Sequence, residues 1–243
     1  MFSWLNYKKN KSIRSTLLEG MTDVHTHLLP AVDDGAQLVE DSLEILRFMC
    51  RMGVRRVYLT PHVMADLPGN TPGALQKRYE AFLKFCPDGP ELRLAAEYML
   101  DSRFTSLIND GLLAMSGRHV LVETSYLSPP LGLNDILYDL RLAGYQPLIA
   151  HPERYLYMRD SDYRKLKEMG CRLQLNLFSL SGVYGSYVAK NAAHLLKEGL
   201  YDHAGSDVHN LDSYHEGILH LSPSRSEVRE LERIMENNQM LWK

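Results

Sequence analysis

Cysteine is scarce: Cys50, Cys86 and Cys171 are odd in number, far apart and without Cys-x-x-Cys spacing. That excludes a disulfide framework or a thiolate zinc site and fits a reducing compartment. No apolar run reaches the roughly 18 residues that a membrane-spanning helix needs. No signal peptide is expected, because the basic stretch with Lys8, Lys9, Lys11 and Arg14 is not followed by an apolar segment. The expected location is the cytoplasm. Neither sign of charge dominates, with 27 Lys+Arg against 30 Asp+Glu and a formal charge of -3. Without a basic stripe interleaved with aromatics, nucleic acid is not an expected partner. Internal repeats and low-complexity linkers are absent too, so nothing marks a second domain.

What is present is an ordinary globular composition, 45% hydrophobic and 23% charged over 243 residues, a length that α/β barrels fill as one unit. Residues 1–21 read as a basic N-terminal extension, and residues 22–243 as a single domain. From residue 22 onward, short apolar runs alternate with amphipathic segments, the rhythm of βαβ units around a parallel sheet or barrel. Seven strands are expected, over Thr22–His27, Arg55–Thr60, Leu92–Glu97, Val120–Thr124, Pro147–His151, Arg172–Asn176 and His203–Asp207. Helices are expected over Gln37–Met52, Ala74–Phe85, Asn134–Ala143, Tyr163–Met169 and Val188–Lys197, the first and third stopping at Gly53 and Gly144.

Reactive side chains fall at the C-terminal ends of these strands: His25 and His27, His62, Glu97, Glu123, His151, and Asp207 with His209. In a parallel β/α barrel these ends form one rim, so residues distant in sequence converge on one bowl. His25 and His27, two apart on a strand, face the same way about 7 Å apart, close enough to share a cation. With Asp34 they make nine His, Asp and Glu side chains, too many for one four- to six-coordinate ion and suited to two or three ions sharing a carboxylate. The absence of thiolate fits Mn²⁺, Fe²⁺ or Zn²⁺. Such a cluster lowers the pKa of a bound water and clamps the oxygens of a phosphoryl group, so hydrolysis by a metal-activated hydroxide is expected.

Arg154, three residues after His151, would hold a guanidinium at the rim, where its planar fork matches phosphate oxygens. A salt bridge to Glu153 or another acid is the equal alternative. Asp33-Asp34-Gly35 is open in the same way, between a ligand-bearing loop and a simple turn before a helix. Cys50 to Arg56 matches the Cys-x5-Arg spelling of thiol-dependent phosphatases, but Cys50 lies in the last turn of a helix and Arg56 inside a strand. That context supplies no phosphate-cradling loop.

The run Asp23-Val-His-Thr-His-Leu-Leu-Pro-Ala-Val-Asp-Asp-Gly35 resembles the opening motif of the polymerase and histidinol phosphatase (PHP) superfamily. Its resemblance is specifically to the bacterial tyrosine-protein phosphatases of capsule and exopolysaccharide operons. Thr60-Pro61-His62, Ala96-Glu97, Val122-Glu123, Ile149 to Arg154, Leu180 to Gly185 and Gly205 to Asn210 follow in matching order. The resemblance implies a distorted (β/α)7 TIM-like barrel in the α/β class with a trinuclear site. His25, His27, Glu97 and Asp207 would hold one ion, Glu97 with Glu123 and His151 a second, and Asp34, His62 and His209 a third. It further implies manganese-dependent hydrolysis of phosphotyrosine, with Arg154 on the phosphate and Asp34 and His209 in the catalytic set. The implied partner is the tail of an autophosphorylating tyrosine kinase controlling polysaccharide export. One departure is the stretch Leu211 to Glu216, which lacks the second arginine of some members and offers His215 as a donor instead. Two alternatives remain beside this reading: a small-molecule phosphatase acting on a compound such as histidinol phosphate, and a non-catalytic metal-binding protein that docks a kinase.

Overall fold

The structure, a computed structural model, describes residues 17–86 and 88–243. The basic side chains of the N-terminal extension lie outside the described residues, whereas Leu17, Leu18 and Met21 are buried in the main core. The chain forms one α/β unit in which all strand pairs are parallel. Three strands, β1 (Thr22–Asp23), β2 (Arg56–Leu59) and β4 (Glu91–Leu94), make one sheet in the order β1-β2-β4. A second sheet is ordered β3-β5-β6-β7-β8-β9. Its strands are β3 (His62–Val63), β5 (Glu97–Met99), β6 (His119–Glu123), β7 (Gln146–Ala150), β8 (Arg172–Asn176) and β9 (His203–Gly205).

The expected second strand is therefore followed by a separate short one, and the expected third is broken in two. Pro61 has no N–H to give a ladder, so regular pairing stops at Leu59 and resumes as β3, where His62 is in register with Glu97. Ala95 N–H still donates to Leu59 O (2.9 Å) and Glu97 N–H to Pro61 O (3.1 Å), which carries the chain across the break. Glu97 consequently opens a strand rather than ending one. The first strand is also shorter than expected. Beyond Asp23 only a bridge between Thr26 and Val208 continues it, flanked by hydrogen bonds from Asp207 N–H to His25 O (2.8 Å) and from His27 N–H to Val208 O (2.9 Å).

Helices connect the strands: α1 (Val39–Arg51), α2 (Pro72–Leu83), α3 (Phe104–Asp110), α4 (Leu133–Leu142), α5 (Asp160–Glu168), α6 (Ser186–Lys197), α7 (Leu211–His220) and α8 (Arg225–Asn238). Five match expected helices within three residues at each end; α3, α7 and α8 were not expected. Gly53 and Gly144 follow α1 and α4 with φ of 104° and 82°, the left-handed region where glycine carries no Cβ penalty. Side chains alternate between two cores along the strands, as a period of two requires. Val120 and Val122 of β6 join the large core, and Leu121 between them joins a smaller one with Val24, Tyr58, Leu148, Ala150, Leu241 and Trp242. Glu123 lies two residues beyond Leu121, so the polar cluster described next begins where the smaller core ends. Among the described residues, no helix is long and apolar enough to cross a membrane.

Candidate metal centre

His25, His27, Glu97, Glu123, His151 and Asp207 are all buried, although they come from five separate segments. Their side-chain atoms converge. His25 Nε2 stands 3.1 Å from His27 Nε2, 3.2 Å from Glu97 Oε2 and 3.3 Å from Asp207 Oδ1. His27 Nε2 is 3.4 Å from the same Glu97 oxygen and 3.3 Å from the same Asp207 oxygen. His62 Nδ1 lies 3.1 Å from both Glu97 Oε2 and Glu123 Oε1, and His151 Nε2 lies 3.1 Å from Glu97 Oε1 and 3.8 Å from Glu123 Oε2. Asp34 Oδ1 sits 3.4 Å from His62 Nε2 and 3.4 Å from His209 Nε2. The structure thus brings all nine expected side chains together, and Glu97 stands at the centre of the cluster.

The hydrogen bonds behind the histidines decide what the cluster can hold. His25 Nδ1 donates to Gln174 Oε1 (3.0 Å) and His27 Nδ1 donates to Asp33 Oδ2 (2.9 Å). In a neutral imidazole the remaining Nε2 is then a lone pair. These two lone pairs lie 3.1 Å apart, each within 3.4 Å of a Glu97 and an Asp207 oxygen, an arrangement that repels itself unless a cation sits among them. Ligands about 2.1 Å from one ion stand about 3.0–3.4 Å apart at octahedral to tetrahedral angles, so these spacings fit a shared ion. The backing of each imidazole by a side-chain oxygen is the arrangement that orients metal-bound histidines. Glu97 Oε2, buried and without a hydrogen-bond partner, is an acceptor left for the same purpose.

The ionisation of the site points the same way. Burial opposes charge on Glu97, but the nearby His25 and the contact with His151 hold its carboxyl well below the usual range. Burial likewise opposes ionised Asp207, which is held down by the charge of His25 and a hydrogen bond to His27. Hydrogen bonds to His209 and His62 keep Asp34 ionised. His62 is driven the other way: burial disfavours its cation, yet bonds to Asp34, Glu123 and Glu97 raise it. Protons on the imidazoles supply the positive charge that this cluster of carboxylates demands, a role open to divalent ions.

Two of the candidate ligands sit on unusual backbone. His151 has φ +31° and Asp207 has φ +54°, positions that side-chain-bearing residues seldom adopt. Gly35 explains the Asp33-Asp34-Gly35 turn: a Cβ there would lie 2.0 Å from His27 O, so only glycine lets the loop close on His27. Asp33 turns inward to His27 and accepts from His62 N–H (3.0 Å), while Asp34 faces solvent.

Arg154 does not pair with Glu153. Its Nη1 donates to Asp207 Oδ2 (2.8 Å), and its guanidinium lies 4.5 Å from the Tyr126 ring centre and 4.4 Å from that of Tyr184. Glu153 is fully buried on the other side, accepting from Ser179 Oγ (2.7 Å), Asn176 N (3.0 Å) and Tyr201 Oη (2.9 Å). His215 is exposed and sets its ring 4.3 Å from that of Phe48. Sequence reasoning missed Gln174, Asp33, Tyr126, Tyr184 and Asn176, the last bonding Asp207 Oδ2 at 3.0 Å. A signal for two of them was present, since Gln174 and Asn176 are polar in the otherwise apolar run Leu173 to Phe178.

Fold and site together define an α/β protein of parallel sheets whose His/carboxylate cluster is built to hold metal. The chain belongs to the family described as Capsular polysaccharide synthesis, CpsB/CapC, whose match spans residues 21–220. It is 32% identical over 203 residues to the tyrosine-protein phosphatase YwqE of Bacillus subtilis, covering 79% of this chain and 78% of that one. To the tyrosine-protein phosphatase CpsB of Streptococcus pneumoniae it is 31% identical over 209 residues, covering 79% and 84%. A solved structure, described as YwqE from Bacillus subtilis and CpsB from Streptococcus pneumoniae, unique metal-dependent tyrosine phosphatases, superposes with a TM-score of 0.80. Its identity is 28%, over 91% of this chain and 94% of that chain. A zinc-bound amidohydrolase, 13% identical with a TM-score of 0.52, shares the fold.

Proposed function

We propose that residues 22–243 form a manganese-dependent protein-tyrosine phosphatase folded as a closed, distorted (β/α)7 barrel. Closure is supported by the bonds of Asp207 and His27 across to the first strand's continuation. The proposed substrate is the phosphorylated tail of an autophosphorylating tyrosine kinase that controls capsular or exopolysaccharide synthesis, met in the cytoplasm. The names of the relatives support the reaction, and the lack of a membrane-crossing helix among the described residues agrees with the location.

The observation that carries this reading is that His25 and His27 each stand within 3.4 Å of oxygens of Glu97 and Asp207, beside a guanidinium bound to the same Asp207. His25, His27, Glu97 and Asp207 would hold one ion, Glu97, Glu123 and His151 a second, and Asp34, His62 and His209 a third, with manganese proposed ahead of iron or zinc. Divalent ions held there would lower the pKa of a bound water and offset charge on the phosphoryl oxygens. Arg154 presents the free edge of its fork to those oxygens, and Asp207 fixes its direction. Asp34, ionised and the most exposed of the nine, completes the solvent side of the site with His209. A tyrosine leaves as a phenolate of pKa about 10, more readily than an alkoxide.

Release of phosphate from a phosphotyrosine peptide should require Mn²⁺, stop with chelator, and fall by at least about a thousandfold in His27→Ala, in line with losing a group that stabilises transition-state charge. Equal rates in all three would overturn the metal mechanism. Turnover of histidinol phosphate far above that of the peptide would replace the substrate.

A further inference from the structure

The Arg154 guanidinium packs against two tyrosine rings, Tyr126 at 4.5 Å and Tyr184 at 4.4 Å, but the two tyrosines are not equivalent. Tyr184 is fixed from behind, its hydroxyl accepting from Asn176 Nδ2 (3.3 Å), the same amide that bonds Asp207. The Tyr126 hydroxyl makes no hydrogen bond among the described residues; the residue is 39% exposed, and its ring lies 5.9 Å from the His151 ring. Tyr126 O accepts from Leu156 N–H (2.8 Å), and Leu156 and Leu127 beside it are 54% and 75% exposed. An apolar lip thus continues outward from the one free aromatic wall of the guanidinium.

We infer that Tyr126 is a specificity-determining residue that makes this site prefer aryl over alkyl phosphate monoesters. The inference rests on the phosphatase reading above and deepens it. A phosphoryl group held at the free edge of Arg154 brings its ester substituent alongside the ring that covers the guanidinium face. A phenyl ring there meets Tyr126 and the leucine lip, gaining an aromatic pair and burying apolar surface, whereas a short alkyl group reaches neither. With two rings packed against it and Nη1 taken by Asp207, the guanidinium offers an anion its remaining edge, which keeps the substituent near that wall.

The test compares wild type, Tyr126→Phe and Tyr126→Ala, loaded with Mn²⁺, on phenyl phosphate and ethyl phosphate. Calorimetric binding of phenylphosphonate and methylphosphonate provides a readout without turnover. Tyr126→Phe should keep the aryl preference. Tyr126→Ala should lower the ratio of kcat/KM for phenyl over ethyl phosphate about five- to tenfold, chiefly through KM, in line with the loss of one aromatic pair. Phenylphosphonate should weaken by the same factor while methylphosphonate stays within about twofold. Equal losses on both substrates and both phosphonates would overturn the inference and make Tyr126 a mere prop for Arg154, leaving the phosphatase reading intact. A wild-type enzyme that binds the two phosphonates equally would overturn it as well. No hydrolysis of either ester by wild type would remove the phosphatase reading and this inference with it.

Discussion

His203 shows how a single buried group links this fold to pH. It opens β9 close to His119, whose ring lies 6.0 Å away, and its Nδ1 meets Asn238 Oδ1 at 3.3 Å. Burial pushes its pKa from 6.5 down to about 4, with Asp202 only partly opposing, and burial lowers His119 in the same direction. As pH falls, the unfolded chain takes up the proton first. The stability contribution is therefore complete above about pH 6.5 and is lost between 6.5 and 4. At pH 5 the loss from His203 is about 2 kcal/mol. Urea unfolding at pH 7.5 and pH 5 should show that His203→Gln loses about that much less on acidification than wild type. An identical acid loss in both would remove His203 as its source.

The elements divide between those whose cause is local and those whose cause is distant. Strands β6 to β8 and helices α1 and α4 were legible because apolar runs, amphipathic spacing and closing glycines lie within the segment itself. The break at Pro61 could be suspected from proline, but not the offset that follows it, which depends on where Glu97 pairs. Helix α8 carries a capping box of Ser224 and Glu227 that was readable yet was passed over, since no strand follows to make it part of an alternating unit. Eight of the nine clustered side chains were legible from the expected strand ends, although Glu97 opens a strand instead, and Asp34 was legible only from the resemblance. Gln174 was not legible, because its reason is His25, 149 residues earlier. Helix α8 also ties the first strand to the last: Asn238 Nδ2 donates to Thr22 O (2.8 Å) and Ala204 O (2.7 Å), and its Oδ1 accepts from Ala204 N (3.2 Å). Asn238→Ala would leave these buried backbone groups unpaired and should cost about 2–4 kcal/mol in denaturant unfolding. A loss below about 1 kcal/mol would mean that water replaces the amide.

Over the whole molecule the folded chain presents converging ligands that the unfolded chain cannot, so an ion binding the cluster stabilises the native state by mass action. At a free Mn²⁺ concentration 100 times Kd, one site adds about 2.7 kcal/mol, which for a protein of this size raises Tm by about 5–10 °C. Scanning calorimetry should show that rise with Mn²⁺ and its reversal with chelator, while the ion-free protein still unfolds cooperatively, since its backbone bonds and two cores do not pass through the cluster. An unchanged Tm at saturating Mn²⁺ would deny the cluster its ions.

The left-handed backbone at His151 and Asp207 has a consequence for durability. A residue with a side chain pays on the order of 1 kcal/mol or more to sit there, and glycine does not. Asp207→Gly should therefore unfold at a higher temperature than Asp207→Ala, although neither keeps the carboxylate. If the two melt alike, Asp207 bears no such cost. The sturdiest version of this protein and its working version then differ at the same residue, and random selection for heat resistance alone would be expected to erode the site from its backbone outward.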